Sequence, residues 1–313
     1  MEKHTSYLRV SASPHIHTKD STRSIMLNVI IALMPALVAS VIIFGWRSLL
    51  VVCVSVAACV IMEYLWCKLR HEANTVTDCS AIVTGILLAY NLPDTIPLYM
   101  VVIGDFIAII VVKELFGGIG RNFANPAIVG RIVLSVSFSA YMTDFSYPTP
   151  LVACDAISSA TPLASGASDI PVLDLFLGTY GGTIGETCAL ALLIGLVWLL
   201  ATHTIEITIP LVYVGVVAIF SAICGQDVLG QILSGGLLLG AIFMATDYTT
   251  SPFTRKGKII YAIGLGLITC VIRFWGNMNE GVSYSILLMN LVVPFINEHT
   301  RDVPMGGGKQ KKK

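Results

Sequence analysis

The segment Cys154–Ala164, which reads CDAISSATPLA, places one acidic residue ahead of a run of small and hydroxylated side chains. Asp155 opens this run and Thr161 closes it. A free threonine hydroxyl is a weak nucleophile, so a covalent modification of Thr161 needs an activating enzyme and room for that enzyme to reach it. An alternative interpretation of the motif alone is a Ser- and Thr-rich loop that leads into a proline. The small side chains that give access are Ala156, Ser158, Ser159 and Ala160.

A second group of residues combines glycine with asparagine and interrupts the apolar sequence in both halves of the chain. Glycine lets the backbone approach a flat ligand, and Pro126 suits the first turn of the helix that follows. We therefore expect a ligand-binding break in a helix at each place. The alternative is close packing of two re-entrant turns without a ligand. The candidate residues are Gly117, Gly118, Gly120, Asn122 and Asn125 in the first half, and Asn277, Asn279, Glu280 and Gly281 in the second.

Ionisable residues also lie inside apolar runs, where they are costly and often functional. Asp105 falls in the middle of VIGDFIAII and is a candidate for an ion pathway, although a satisfied hydrogen bond between helices is the alternative. Arg131 and Arg273 lie toward the outer ends of their runs, where each can hold a phosphate or a flavin, or reach the interface. Glu63 and Glu114 lie near cytoplasmic ends, which favours interfacial placement.

The composition is that of an integral membrane protein. Of the 313 residues, 55% are hydrophobic and 12% are charged, whereas soluble domains carry about 25% charged residues. The formal net charge is zero, so composition gives no reason to expect a nucleic-acid partner. The eight cysteines show no C-x-x-C spacing, and we expect no metal site made by this chain alone.

Ten apolar runs predict an all-α polytopic membrane protein, since a spanning helix needs about 20 mainly apolar residues and fewer where protein covers its ends. Two of the ten are short for a span. The runs are Ile25–Phe44, Ser48–Trp66, Ser80–Leu92, Pro97–Lys113, Pro126–Tyr141, Ile184–Ala201, Ile207–Cys224, Val228–Thr246, Ile259–Phe274 and Gly281–Ile296.

The distribution of charge predicts the orientation, because Lys and Arg accumulate near the cytoplasmic ends of spans. With both termini inside, all but three of the 19 Lys and Arg residues fall on the cytoplasmic side, the exceptions being Arg47, Arg131 and Arg273. The long loop 142–183 contains four aspartates and no Lys or Arg. We therefore expect this loop, and Thr161 with it, outside the cytoplasm.

The two halves of the chain also look like copies. Asn91 and Asp247, in similar polar breaks, are 156 residues apart, and Gly118 and Gly276 are 158 apart. Because each copy would hold five spans, the second must enter the membrane upside down, which is the plan of an inverted repeat. The predicted regions are a cytoplasmic segment 1–24, a first repeat 25–141, an outer loop 142–183, a second repeat 184–297 and a basic cytoplasmic tail 298–313.

Read with its surroundings, DAISSAT resembles the D-x-x-[ST]-x-A-T signature at which a flavin transferase attaches FMN to threonine. The segments VTGILLAYNLP, KELFGGIGRNFANPAIVGR and ATDYTTSPFTRKGKIIYAIGLGLITCVIRFWG agree with it. Together they resemble the D-subunit family of the Rnf complex, and more distantly the B subunit of the sodium-pumping NADH:quinone reductase. The resemblance extends from Ser11 to Asn297.

This resemblance implies a fold, cofactors and partners. It implies a urea-transporter-like inverted repeat, FMN covalently bound to Thr161, and a second, non-covalent flavin, riboflavin, at the repeat breaks. It implies partnership with the G, C, A, E and B subunits of an Rnf complex, a flavin transferase for maturation, and membrane lipid. The complex would couple electron transfer between ferredoxin and NAD to outward movement of Na⁺ or H⁺ in a bacterial or archaeal cytoplasmic membrane.

Two other classes of function stay open at this point. Ten spans in two inverted halves also make urea and ammonium channels, although such a channel has no use for the motif from Asp155 to Thr161. A structural membrane anchor for neighbouring subunits is the other alternative.

Overall fold

The computed structural model describes residues 21–71, 75–146, 158–159, 171–276 and 281–301. Within these ranges the regular secondary structure is almost entirely helical, as predicted. The exception is a short antiparallel pair of strands, β1 (Phe145–Ser146) and β2 (Ser158–Ser159), which places Ser159 opposite Phe145. The pair joins two segments of the loop 142–183.

The first half consists of two long helices followed by shorter ones. A 3₁₀ turn, Val76–Asp78, precedes the third helix, and the fourth continues as a π-helix over Ile107–Glu114. The helices are α1 (Thr22–Phe44), α2 (Trp46–Arg70), α3 (Ser80–Tyr90), α4 (Leu98–Phe106), α5 (Pro126–Ser137) and α6 (Ser139–Met142).

The second half has a similar succession of elements. A short helix in the loop 142–183, α7 (Val172–Leu177), comes before it. Its helices are α8 (Ala189–Ala201), α9 (Thr208–Ile223), α10 (Val228–Leu233), α11 (Leu237–Leu239), which continues as a π-helix over Gly240–Met244, α12 (Arg255–Trp275) and α13 (Gly281–His299).

Each of the ten predicted apolar runs contains helix. Among the described residues, four helices are long and apolar enough to cross a membrane: α1, α2, α12 and α13. The others are shorter, and the chain leaves helical geometry at the end of several of them, as after α3 and α10. Where a helix is interrupted away from water, the backbone N–H and C=O groups that lose their helical partners must bond to other protein groups. Each interruption is therefore expected where such partners are present.

The sixth predicted run is helical only from Ala189, not from Ile184. The reason is that its first residues pair with the end of α3. The backbone N–H of Ile184 donates to the carbonyl of Leu92 at 3.0 Å, and that of Gly185 donates to the carbonyl of Tyr90 at 2.9 Å. A Cβ on Gly185 would overlap the side chain of Tyr90, so only glycine allows this approach.

Two further predicted runs are interrupted. The eighth breaks between α10 and α11, where Gly235 has a φ of +68°, a conformation that favours glycine. The fifth ends at Ser137, because Phe138 leaves helical geometry with a φ of −133° before the single turn of α6.

Candidate functional site at the ends of the broken helices

The two short helices α3 and α11 end close together in the centre of the protein. Asn91, which follows α3, donates from Nδ2 to the carbonyl of Leu87 at 2.6 Å and lies 3.7 Å from the sulfur of Met244, the last π-helical residue after α11. Both helices therefore direct their carbonyl ends, the negative ends of their dipoles, into the same region.

Helix α5 supplies polar side chains to both of these ends. Asn125 caps α5 by accepting from the N–H of Ala127 at 3.1 Å, and its Nδ2 donates to the carbonyl of Met244 at 3.4 Å. Farther along the same helix, Arg131 donates from Nη1 to Oδ1 of Asn91. A cation at converging helix C-termini is electrostatically favourable. One helix thus holds the breaks of both halves together.

Arg131 itself is buried, with 2% of its surface exposed. Its Nη1 lies 2.9 Å from Oε1 of Glu186, in a buried ion pair, and 3.0 Å from the hydroxyl of Ser283 on α13. The sequence suggested that Arg131 contacts a phosphate or flavin, or reaches the interface. The structure places the guanidinium between protein groups of both halves.

A cavity lies beside these breaks, with about 810 Å³ of empty space including its mouth. Its walls come from both halves of the chain and join apolar side chains to a few polar ones, which is the usual character of a small-molecule site. The polar residues of its lining are Ser80, Thr84, Lys113, Asn122, Asn125, Thr204, Thr246, Asp247, Tyr248 and Thr249.

Two of the predicted site residues, Asn122 and Asn125, thus line one cavity. Oδ1 of Asn122 is buried and accepts no hydrogen bond from the described residues. Such an orphaned acceptor at a cavity wall suits a ligand that donates. Across the cavity, Asp247 is fully engaged in its own turn, since it accepts from the N–H of Thr249 at 3.1 Å and from the hydroxyls of Thr249 and Thr250.

The glycines of the first break form the turn between α4 and α5. Gly117, Gly118 and Gly120 have φ values of +102°, +81° and +88°. A chain that needs three left-handed residues in one short turn needs glycine at those positions. None of the three lines the cavity, whereas their neighbour Ile119 does. Their role is therefore to shape the turn that brings Asn122 to the wall.

Sequence reasoning missed Lys113, which was assigned only to the cytoplasmic side. Its Nζ lies 2.8 Å from Oε2 of Glu63 and 2.7 Å from the hydroxyl of Ser80, with 3% of its side chain exposed. The predicted interfacial acids are likewise buried, with Glu63 at 0% and Glu114 at 7% exposure. In the sequence, Lys113 directly follows a continuous apolar run. That position could have indicated that its side chain is buried.

Asp105 and Arg273 lie away from this cavity. Asp105 is buried where α4 packs on α2, and its Oδ1 is within hydrogen-bond distance of Ser55 and Cys59. Arg273 donates from Nη1 to the carbonyl and to Oε1 of Gln231, and from Nη2 to the carbonyl of Ser234. It therefore holds the break between α10 and α11, and its use for a phosphate or flavin stays a prediction.

The other sequence candidates fall outside the described residues or at their edge. Asp155, Ala160 and Thr161 of the attachment motif are outside them, as are Asn277 and Glu280. Of the motif, Ser158 and Ser159 are described only as the backbone of β2, and Gly281 begins α13.

Comparison with known proteins finds one family over nearly all of the chain. Residues 9–306 match the model of the NQR2, RnfD, RnfE family. The chain is 48% identical, over 97% of both chains, to the D subunit of the Na⁺-translocating ferredoxin:NAD⁺ oxidoreductase complex of Acetobacterium woodii. It is 41% identical, over 95% of this chain and 96% of the relative, to the D subunit of the proton-translocating ferredoxin:NAD⁺ oxidoreductase complex of Clostridium ljungdahlii.

A third relative is the D subunit of the ion-translocating oxidoreductase complex of Stutzerimonas stutzeri, 37% identical over 90% of this chain and 92% of that one. The relatives' names differ in the ion, sodium in one and protons in another, so similarity to them does not assign the ion moved. The family model and the relatives agree over nearly the full length. The chain belongs to the NQR2, RnfD, RnfE family.

Proposed function

We propose that this chain is the membrane-embedded electron-carrying subunit of an ion-translocating ferredoxin:NAD⁺ oxidoreductase, an Rnf complex, and that Thr161 carries FMN through a phosphoester. The observation that carries the proposal is the DAISSAT motif, in a chain that aligns over 97% of its length with the D subunit of a complex of that activity. The flavin would supply the redox chemistry, while the protein sets its position and excludes side reactions. The proposed partners are the other Rnf subunits, a flavin transferase and membrane lipid.

Replacing Thr161 with alanine is expected to remove all covalent flavin from the chain, because no other hydroxyl occupies the last position of the motif. The measurement is flavin fluorescence of the chain on a denaturing gel, with mass spectrometry of the peptide that contains Thr161. Thr149→Ala, in the same loop, is the matched control and should keep the fluorescence. A dark parent band from a host that makes the transferase would favour a channel. Full electron transfer by Thr161→Ala would favour a structural anchor.

We further propose that the cavity binds a second, non-covalent flavin. The pyrimidine edge of a flavin ring offers an N–H donor beside two carbonyl acceptors. The orphaned Oδ1 of Asn122 can accept from such an N–H, and the apolar lining, with Phe243 and Tyr248, suits the ring. The polar residues present therefore fit the ring of a flavin.

The charges around the cavity favour a flavin without a phosphate, namely riboflavin. The cation in the described lining, Lys113, is neutralised by Glu63 at 2.8 Å. A phosphate placed there would meet no uncompensated positive charge among the described lining residues, and burying an uncompensated charge is costly. Electrons would pass between this site and the flavin on Thr161.

Replacing Asn122 with alanine is expected to lower the amount of non-covalent flavin that copurifies, by about tenfold if one hydrogen bond worth roughly 1.4 kcal/mol is lost. The flavin is released by denaturing the purified complex and is quantified by chromatography, separately from the covalent flavin. Asn28→Ala, on α1 but not in the lining, should retain it. Equal riboflavin in Asn122→Ala and the parent would contradict the assignment to this cavity.

We also propose the inverted repeat, in which α1 to α5 correspond to α8, α9, α11, α12 and α13. Ser80 and Leu237 begin corresponding helices 157 residues apart, and so do Leu98 and Arg255. Corresponding packing supports the proposal, since α2 packs on α4 and α4 on α5, while α9 packs on α12 and α12 on α13. The corresponding helices α1 and α8 pack on each other, as do α5 and α13.

The orientation that accompanies this repeat puts the termini inside and Thr161 outside the cytoplasm. Cys154 lies in the same loop as Thr161, whereas Cys79 lies in the turn between α2 and α3 on the opposite side. In two variants whose only cysteine is Cys154 or Cys79, a membrane-impermeant thiol reagent applied to intact cells is expected to label Cys154 and not Cys79. The reverse pattern would overturn the orientation.

A further inference from the structure

Asp105 occupies a site inside the first half that the proposed flavins do not use. Its side chain, on α4, is fully buried. Oδ1 lies 2.7 Å from the hydroxyl of Ser55 and 3.2 Å from the thiol of Cys59, both on α2. Oδ2 is buried and accepts no hydrogen bond from any described residue. A buried carboxyl oxygen without a donor is costly if the group is ionised.

The single hydrogen of the Ser55 hydroxyl cannot serve both of its close neighbours at once. The Ser55 hydroxyl lies 2.7 Å from Oδ1 of Asp105 and 2.9 Å from the carbonyl of Gly85 on α3. A serine hydroxyl has one hydrogen and can donate to only one of these two acceptors. If Asp105 carries the proton, Oδ1–H donates to the Ser55 oxygen, and the Ser55 hydroxyl donates to the carbonyl of Gly85. Each of the two short contacts then contains a hydrogen, and Oδ2, which has no donor, is the carbonyl oxygen of a neutral acid.

No cation among the described residues compensates a charge on Asp105. The helices that pack against α4 and its π-helical continuation are α2, α3 and α5. The buried ionisable groups on these helices and on the continuation are each engaged elsewhere or neutral. They are Cys59, beside Asp105; Cys67, beside Thr75; Glu63 and Lys113, paired with each other; Glu114, 3.7 Å from Lys113; Tyr90, whose hydroxyl donates to the carbonyl of Leu33; and Arg131, paired with Glu186.

We propose that Asp105 is a buried proton-binding site, which holds one proton at neutral pH and shares it with Ser55. The ligand is a proton and not a sodium ion. Besides the carboxyl of Asp105, the described contacts offer three groups: the hydroxyl of Ser55, the carbonyl of Gly85 and the sulfur of Cys59. The carbonyl of Gly85 is already the hydrogen-bond partner of the Ser55 hydroxyl. A hard cation prefers a larger set of oxygens. The site does not depend on either proposed flavin.

Infrared spectroscopy of the complex in lipid vesicles, with ¹³C-labelled aspartate, tests the proposal. At neutral pH the parent is expected to show the carbonyl band of a protonated, hydrogen-bonded carboxylic acid, which shifts in D₂O and is lost in Asp105→Asn. Asparagine is isosteric with the protonated acid, so this variant should fold. Asp174→Asn, in the outer-loop helix α7, is the control and should leave the band unchanged.

Loss of carboxylate bands instead of the acid band in Asp105→Asn would overturn the proposal. So would a carboxylate band of Asp105 that appears when choline chloride is exchanged for sodium chloride, because that result identifies a sodium site. A second variant tests the proposal even if Asp105→Asn fails to fold. Ser55→Ala removes the partner of the acid proton and should move the carbonyl band to higher frequency, whereas an unchanged band contradicts the shared proton.

Discussion

Replacing Arg131 with methionine is expected to destabilise the protein by about 3–5 kcal/mol, the cost of removing one partner of a buried ion pair. The substitution leaves Glu186 buried without its cation, and it leaves Oδ1 of Asn91 without its donor. It also removes the positive charge from the region where α3 and α11 end. The measurement is the midpoint of unfolding of the purified chain by heat or by denaturing detergent.

A double-mutant cycle separates the ion pair from general damage to the core. Glu186→Met should also be strongly destabilising, and the double variant should be less unstable than the sum of the two, because no buried charge then lacks a partner. If the free energy of unfolding of Arg131→Met is within about 1 kcal/mol of that of the parent, the guanidinium does not hold the two halves together. Additive effects of the two substitutions would likewise contradict a direct pair.

Replacing Lys113 with methionine is expected to lower the free energy of unfolding by a similar amount, about 3–5 kcal/mol. The ammonium group is nearly inaccessible and lies between the carboxylate of Glu63 and the hydroxyl of Ser80. Without it, Glu63 keeps only the hydroxyl of Thr75, 2.5 Å from its Oε1, among the bonds described. The same unfolding assay measures the effect.

The chain provides a matched control for this prediction. Lys258 and Glu206 form an ion pair of 2.9 Å in which the glutamate side chain is 63% exposed. Exposed pairs contribute about 0–1 kcal/mol, so Lys258→Met should have little effect on the unfolding midpoint. If Lys113→Met and Lys258→Met lower the unfolding midpoint equally, the burial of Lys113 does not make its ion pair more important for stability.

The helical segments were predictable because the signals that define them are local. Runs such as Ile25–Phe44 and Ile259–Phe274 are apolar over most of a bilayer's thickness, and their helices extend only a few residues beyond the predicted ends. The turn containing Gly117 and Gly118 was predictable for the same reason, since left-handed backbone favours glycine wherever it occurs. Asn122 and Asn125 were identified with it and do line a cavity.

The partners of the buried charges were not predictable in this way. Lys113 and Glu63 are 50 residues apart, and Arg131 and Glu186 are 55 apart. Residue types at short spacing do not identify which distant carboxylate will neutralise a given cation. The start of α8 at Ala189 is another case, because it depends on bonds between Ile184 and the carbonyl of Leu92, far earlier in the chain.

The sequence by itself determined where helices form, where glycine and proline interrupt them, and which family the chain resembles, because each of these depends on residue types at short spacing. Only the tertiary structure decided that Asn122 lies at a cavity wall, that Lys113 is neutralised, and that Asp105 shares one hydroxyl with a competing carbonyl. The physical reason is that burial makes a polar group depend on its partners, and packing between distant helices chooses those partners.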